Sequence, residues 1–338
     1  MIVIVCVLLQ RWYSTRQDTS KYIEPVTRTY PIMGTWAQTT LYGDKKNADL
    51  AQDEIYNAFI EINKTCSRFN SEDELAKLNS SAYYHPFKCS DILWQTLMLS
   101  KKYYEQSNGV FDITVTPLMK LWGFYVKQDK APTPLQIKET LKKVGFNKLI
   151  FNYQNHTVQF SVAGMELDLG GIAKGFALDY AYDKIKDMKI TSGVINLGGN
   201  ILCLPNGPLN KKYYVLGIRD PLDNEKTMNG SLKLVNEALS TSGDYEQYII
   251  FDGKRYSHII NPKTGYPVAN MISVTVVAPT GVASDALSTS AFLNGLEFAK
   301  KIHNENQNIN FLIITGEHGN PSSIQTHKIG NIWDTIEL

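Results

Sequence analysis

The chain has 338 residues, more than one average domain of roughly 150, so a single two-lobed unit or two domains is the starting expectation. Hydrophobic residues make up 43% and charged residues 20%, which supports a sizeable core and excludes a disordered chain. With 34 basic against 33 acidic side chains the formal net charge is +1, so no global field draws in nucleic acid and an anionic ligand must be caught locally.

The first nine residues, MIVIVCVLL, are apolar and give way to the polar QRWYSTRQDTSK. The run is shorter than the roughly 20 apolar residues that cross a bilayer and reads as the tail of an export signal, with Cys6 as a candidate lipid-attachment cysteine after an unfavourable Val5; a plain frayed N-terminus is the rival reading. Residues 1–22 are therefore expected to be an export or lipoprotein-like segment and linker, and 23–338 one domain. The remaining cysteines, Cys66, Cys89 and Cys203, form no C-x-x-C or cysteine/histidine cluster. That pattern argues against structural zinc and leaves a Cys66–Cys89 disulfide open.

Thr27 to Tyr42 alternates as a strand interrupted at Met33-Gly34-Thr35. A helix over Asp49 to Asn63 places Leu50, Ile55, Phe59 and Ile62 on one face, and Ser71 with Glu74 has the spacing of a capping box for a short helix to Leu78. Ser90 to Glu105 predicts a helix ending at Asn108-Gly109. Beyond it, Val110-Phe111-Asp112 sets a carboxylate among apolar residues. Two readings stand there: a group that hydrogen-bonds a flat heterocycle, or a core cluster in which Asp112 caps a turn. Lys127 to Thr133 is a polar connection, Leu135 to Val144 a short helix, and Leu149 to Phe160 a hairpin turning at Gln154-Asn155.

The stretch Met165 to Asp183, MELDLGGIAKGFALDYAYD, predicts a strand that feeds a helix through Gly170-Gly171, with Asp168 before the glycines and Lys174 in the helix's first turn. Paired glycines permit close backbone approach, and the free N–H groups of a new helix favour an anion. The pattern is neither G-x-G-x-x-G nor a Walker sequence, so a plain strand-to-helix turn is the rival reading. After the helix, Val194 to Leu197 ends at a second pair, Gly198-Gly199. Strand, helix, strand predicts a parallel βαβ unit with both Leu-Gly-Gly turns at one end of the sheet.

Tyr213 to Ile218 and Ser231 to Leu239 predict strands. Tyr245 to Phe251 and Arg255 to Ile260 form a hairpin around Asp252-Gly253, the second arm carrying His258. Met271 to Val277 is a further strand. Asp285 to Ile302 predicts a helix with Asp285 and Thr289 four apart on one face, where Asp285 either caps the helix or serves as a ligand. Phe311 to Thr315 and Thr326 to Trp333 complete the strands.

With those residues identified, the chain resembles the FAD:protein FMN transferase family, also called the ApbE or flavin transferase family. The resemblance runs from about Met33 to Leu296 and rests on ordered motifs: MGT at 33, GVFDITVTPL at 109, LDLGGIAKG at 167, NLGGN at 196, SGDYEQY at 242, HIINPKTGYP at 258 and SDALSTSAF at 284. It implies an α+β fold of mixed sheets and packed helices with a flavin cleft between two lobes. It also implies an exported enzyme, attached to the inner membrane and facing the periplasm, that uses Mg²⁺ to split FAD, releases AMP and attaches FMN by a phosphoester to a threonine or serine of an acceptor flavoprotein. A subunit of a respiratory ion-pumping complex is the acceptor type expected.

By the same resemblance, Met33, Val110, Phe111, Asp112, Asp168, Lys174 and Ile260 contact FAD. Gly171 by its carbonyl, Asp285 and Thr289 hold Mg²⁺, with Ser288 beside them. These hard oxygen donors suit Mg²⁺, which keeps its other places for water and phosphate. His258, or a nearby carboxylate such as Asp244, takes the acceptor's proton, and Lys174 offsets charge on the leaving phosphate. A histidine that stacks on the flavin or packs is the rival role for His258. The alternatives for the whole protein are a Mg²⁺-dependent FAD pyrophosphatase and a non-catalytic flavin-binding lipoprotein.

Overall fold

The computed structural model describes residues 24–209, 211–223, 226–317 and 320–337, and everything below refers to them. The predicted segment 1–22, Cys6 included, lies outside the described residues. The strands are β1 (Val26–Ile32), β2 (Thr35–Tyr42), β3 (Phe87–Lys88), β4 (Leu149–Asn152), β5 (Thr157–Phe160), β6 (Ser192–Leu197), β7 (Asn200–Cys203), β8 (Tyr214–Leu216), β9 (Leu232–Leu234), β10 (Glu237–Gly243), β11 (Tyr248–Phe251), β12 (Lys254–Ser257), β13 (Met271–Ala278), β14 (Asn310–Glu317) and β15 (Asn320–Ile329). The helices are α1 (Lys45–Cys66), α2 (Glu74–Ser81), α3 (Asp91–Gln106), α4 (Thr116–Trp122), α5 (Pro134–Leu141), α6 (Ala173–Ile185), α7 (Gly281–Asn294) and α8 (Leu296–Glu305).

An eight-stranded sheet in the order β1-β2-β6-β7-β10-β13-β14-β15 forms the spine, with every neighbouring pair antiparallel. Helices α1, α6 and α7 pack together on one face, and α7 lies against β10 and β13. A second core covers the other face, where Tyr214, Leu232 and Leu234 of the β8–β9 ribbon and Trp333 meet Leu239, Val277 and Leu312. Covered on both sides, β13 is buried along its whole length, its two polar residues Ser273 and Thr275 included. A third core joins α4 and α5 to the β11–β12 hairpin through Leu118, Trp122, Ile137, Phe251 and Ile260. This is the smaller lobe of an α+β fold, as the sequence led us to expect.

The parallel βαβ unit does not form. Residues 165–169 join no sheet, and Asn79 grips them instead: its side chain accepts from the Leu167 N–H at 2.7 Å and donates to the Leu167 carbonyl at 2.9 Å. The second glycine pair is a hairpin turn, Gly198 and Gly199 both at positive φ (62° and 91°), which returns β6 antiparallel into β7. Smaller expectations also change. Thr280, not Asp285, caps α7, and the helix expected over 285–302 breaks at Gly295 with φ 79°. Ser231 to Leu239 splits at Asn236, whose φ is 55°. Glu74 makes no capping box; its carboxylate accepts from Ser90 N at 2.7 Å and Ser90 Oγ at 2.6 Å, tying α2 to the start of α3. Leu50 is exposed, unlike Ile55, Phe59 and Ile62.

Cys66, Cys89 and Cys203 are free and buried, and burial pushes each thiol up to about 12. Among the described residues no helix is long and apolar enough to cross a membrane.

Candidate functional site

The β6–β7 hairpin stops at Gly198-Gly199 while β10 runs on to Gly243. Beyond Leu239, β10 therefore pairs with β13 alone, which leaves a notch in the sheet. A cavity of about 810 Å³ opens there, bounded by the start of α6, by Asp285, Thr289 and Leu293 along α7 and, from the smaller lobe, by Met119 and His258 to Ile260. That volume lies within the range of small-molecule sites, roughly 300–1,000 Å³.

Helices α6 and α7 cross through two glycines. A Cβ on Gly175 would overlap the Gly281 carbonyl oxygen and stand 2.6 Å from Cβ of Asp285. Each helix also caps the other. Asp285 of α7 accepts from Gly175 N at 2.8 Å, in the first turn of α6, while Asp179 of α6 accepts from Gly281 N at 2.6 Å and Val282 N at 2.8 Å, at the start of α7. Burial raises the Asp179 carboxyl to about 6, against the two amides that hold it ionised, and the nearby Asp183 and Asp285 charges raise it further.

That crossing brings the three expected metal ligands together. Asp285 is 5% exposed and spends one carboxylate oxygen on Gly175; the other makes no hydrogen bond among the described residues. A Cβ on Gly171 would sit 3.4 Å from Thr289 Oγ1, so the Gly170-Gly171 turn passes directly beside that hydroxyl. Ser242 Oγ lies 3.2 Å from Thr289 Oγ1 and 2.8 Å from Ser288 Oγ. Ser288 is fully buried and does not line the cavity. Among the described residues no three His, Cys, Asp or Glu side chains cluster as a metal site. One carboxylate, one hydroxyl and a carbonyl would leave about half of an octahedral set to phosphate and water, the arrangement Mg²⁺ favours.

Met33, Val110, Phe111, Asp112, Asp168, Lys174, His258 and Ile260 all line the same cavity. The Asp112 carboxylate is already engaged. Oδ1 accepts from Thr114 N at 2.9 Å and Thr114 Oγ1 at 2.6 Å, and Oδ2 from Phe146 N at 3.0 Å, so the turn-capping role is the one its hydrogen bonds display. Burial raises this carboxyl above its ordinary range, opposed by those same donors. Asp168 accepts from Gly170 N at 2.7 Å through Oδ1 and from Tyr125 Oη at 2.8 Å through Oδ2. Lys174 Nζ reaches the Gly170 carbonyl at 3.4 Å.

His258 sits just past β12, with its Nδ1 3.0 Å from the Gln247 carbonyl oxygen. A carbonyl can only accept, so Nδ1 carries the proton and Nε2 keeps its lone pair. Desolvation moves the imidazole below its ordinary value; the Gln247 hydrogen bond opposes this, Lys174 adds to it and Asp168 counters it. Asp244 does not line the cavity; its carboxylate lies 3.9 Å from the Arg255 guanidinium.

The family model described as ApbE family matches residues 33–313. The chain belongs to the ApbE family. It is 29% identical over 278 residues to the FAD:protein FMN transferase of Haemophilus influenzae, covering 80% of each chain. Identity to the FAD:protein FMN transferase of Escherichia coli K12 is also 29%, covering 80% of this chain and 78% of that one. The solved flavin transferase ApbE from Vibrio cholerae aligns with a TM-score of 0.80 at 25% identity, covering 93% of this chain and 99% of its own. The ApbE protein of Thermotoga maritima aligns at 0.82 with 26% identity, covering 93% and 100%.

Sequence reasoning missed several residues in and behind the wall of this ApbE-family cavity. Arg68, behind the wall, lies 4.2 Å over the Tyr125 ring, 3.2 Å from Glu166 and 3.8 Å from Asp168, and so braces the carboxylate beside the glycine turn. Ser242, Arg219 and Glu246 line the wall itself, the last two 3.6 Å apart. Asn200 lines it as well. No spacing in the sequence links Arg68 to Asp168, a hundred residues on; a charged side chain in an otherwise polar loop was the available signal.

Proposed function

We propose that this protein is a Mg²⁺-dependent FAD:protein FMN transferase that cleaves FAD, releases AMP and esterifies FMN to a threonine or serine of an acceptor flavoprotein. The observation that carries the reading is the meeting, in one cavity, of a dinucleotide-sized space, an oxygen-donor set at the α6–α7 crossing and a histidine whose free nitrogen is Nε2.

Gly171, Asp285 and Thr289 would hold the metal, which when bound supplies Lewis-acid neutralisation of the diphosphate charge. Lys174 adds positive charge at the same end of the cavity. His258 Nε2 accepts the proton as the acceptor oxygen bonds to the FMN phosphorus. The bond from that phosphorus to the AMP oxygen breaks, and the electron pair leaves with AMP. Burial keeps the imidazole neutral near pH 7 and thus able to act as a base. The acceptor is of the kind found in respiratory ion-pumping complexes. An extracytoplasmic site, attached to the inner membrane through residues 1–22, fits the apolar start of the chain; mass spectrometry of the native N-terminus checks lipidation of Cys6.

The test is incubation with FAD and Mg²⁺, with and without an acceptor domain, following AMP, free FMN and protein-bound fluorescence on a denaturing gel. Acceptor-dependent covalent fluorescence is the expected outcome. Free FMN and AMP regardless of acceptor would instead mean a pyrophosphatase, and unchanged FAD a carrier. Asp285→Asn keeps an oxygen for Gly175 N, though without the charge, and turns an amide toward the cation, so it melts within a few degrees of wild type and loses at least about a hundredfold in transfer.

A further inference from the structure

Resting on the transferase reading, we infer that Asn200 is a diphosphate-binding residue whose carboxamide donates to a non-bridging phosphate oxygen of FAD. Asn200 is 3% exposed, lines the cavity, and its Nδ2 is buried without a hydrogen-bond partner among the described residues. A buried amide left unpaired has lost its water without gaining a partner, which is costly. Such a group in a cavity wall therefore calls for an acceptor that the substrate brings.

Its place in the sheet says which part of the substrate. Asn200 is the first residue of β7, directly after the Gly198-Gly199 turn and paired with Leu197 across it. Leu202 and Ile201 pair with Ala238 and Leu239, so Asn200 comes next, beside Ser240 where β10 begins to border the notch. Ser242 lies two residues further along, about 7 Å at strand rise. Its hydroxyl is the one 3.2 Å from Thr289 Oγ1. Asn200 thus stands at the metal end of the cavity, and on the backbone side a Cβ on Gly199 would meet nothing within 4 Å, leaving the turn open to a ligand. The carboxylate there, Asp285, belongs to the cation and to Gly175. A neutral donor reaches the anion without competing for either.

The test is the affinity of the full chain for FAD, ADP and riboflavin, measured by calorimetry with Mg²⁺ for wild type, Asn200→Ala and Asn200→Ser, the second guarding against a folding defect in the first. Both variants are expected to bind FAD and ADP about tenfold more weakly and riboflavin as wild type does. Equal weakening of riboflavin, or unchanged FAD and ADP, overturns the assignment and leaves the transferase reading standing. A wild-type chain that binds no FAD overturns the transferase reading and the assignment with it.

Discussion

A single methyl group at Gly175 tests whether the α6–α7 crossing is what assembles the site. Alanine would normally favour a helix over glycine by about 0.5–1 kcal/mol. Here its Cβ would lie 2.6 Å from both the Gly281 carbonyl carbon and Cβ of Asp285, about 1 Å inside ordinary contact. The neighbours are backbone and the root of a side chain, so a rotamer change cannot relieve the overlap; the helices must separate. Overpacking of that kind costs about 1–3 kcal/mol. A separation of 1 Å also breaks the 2.8 Å bond from Gly175 N to Asp285, a charge-assisted bond worth about 1.5–3 kcal/mol. Net destabilisation is about 2–5 kcal/mol, a melting temperature lower by on the order of 10 °C. Displacing Asp285 by that much should slow transfer on the order of a hundredfold. The assay is a thermal melt beside FMN transfer to an acceptor, with Gly253→Ala as control: its Cβ meets nothing, and only the left-handed φ of 75° penalises it, by about 1–2 kcal/mol. Gly175→Ala with wild-type melting and transfer would refute the reasoning.

Two pH predictions follow from the same geometry. Because desolvation lowers His258, the transfer rate at saturating FAD should rise with pH and level off with a midpoint below the ordinary 6.5, and His258→Ala should lose both the rate and this acid limb; a midpoint above 7 excludes Nε2 as the base. Asp179 is raised from 3.8 to about 6, so its protonated form favours the fold below about pH 4 and up to about 3 kcal/mol of that advantage disappears as pH rises through 6. Chemical denaturation at pH 4.5 and 7.5 should show a smaller stability difference in Asp179→Asn than in wild type; an unchanged difference would mean that Asp179 does not titrate in this window.

What the sequence made legible was local. Met33-Gly34, Asn108-Gly109 and Asp252-Gly253 all take positive φ at the turns their residue types announce, and α1, α3 and α6 follow their apolar spacing. Pairing was not legible. Met165 to Leu169 alternates like a strand because it is extended, yet a strand needs a ladder partner, and the groups that satisfy it are Asn79 and the Ile113 carbonyl, each in a distant segment. The second Leu-Gly-Gly looked like the first, yet only the second pair takes left-handed φ, for a two-residue hairpin, while a Cβ on Gly171 would meet Thr289 Oγ1 at an ordinary 3.4 Å. At Gly295 the apolar spacing runs across the break, so periodicity alone joined α7 to α8.

The site divides along the same line. Motifs bring Gly171, Asp285 and Thr289 forward because the resemblance carries them, and the crossing beside them joins Gly175, the last residue of LDLGGIAKG, to Gly281, which lies outside the motifs. Gly175 and Gly281 let two helix N-termini meet, and the carboxylate that each helix contributes to its partner satisfies amides that would otherwise be unpaired. Asp285 therefore belongs to both problems at once. One oxygen closes α6, and the other is left in a cavity where Lys174 and the Gly170-Gly171 turn also face. A carboxylate so placed is held in one orientation by the fold before any cation arrives, so little ordering of the side chain remains for binding to supply. The fold's own capping requirement thus preorganises the carboxylate that the proposed chemistry would use, and the glycine at 175 is the condition for both.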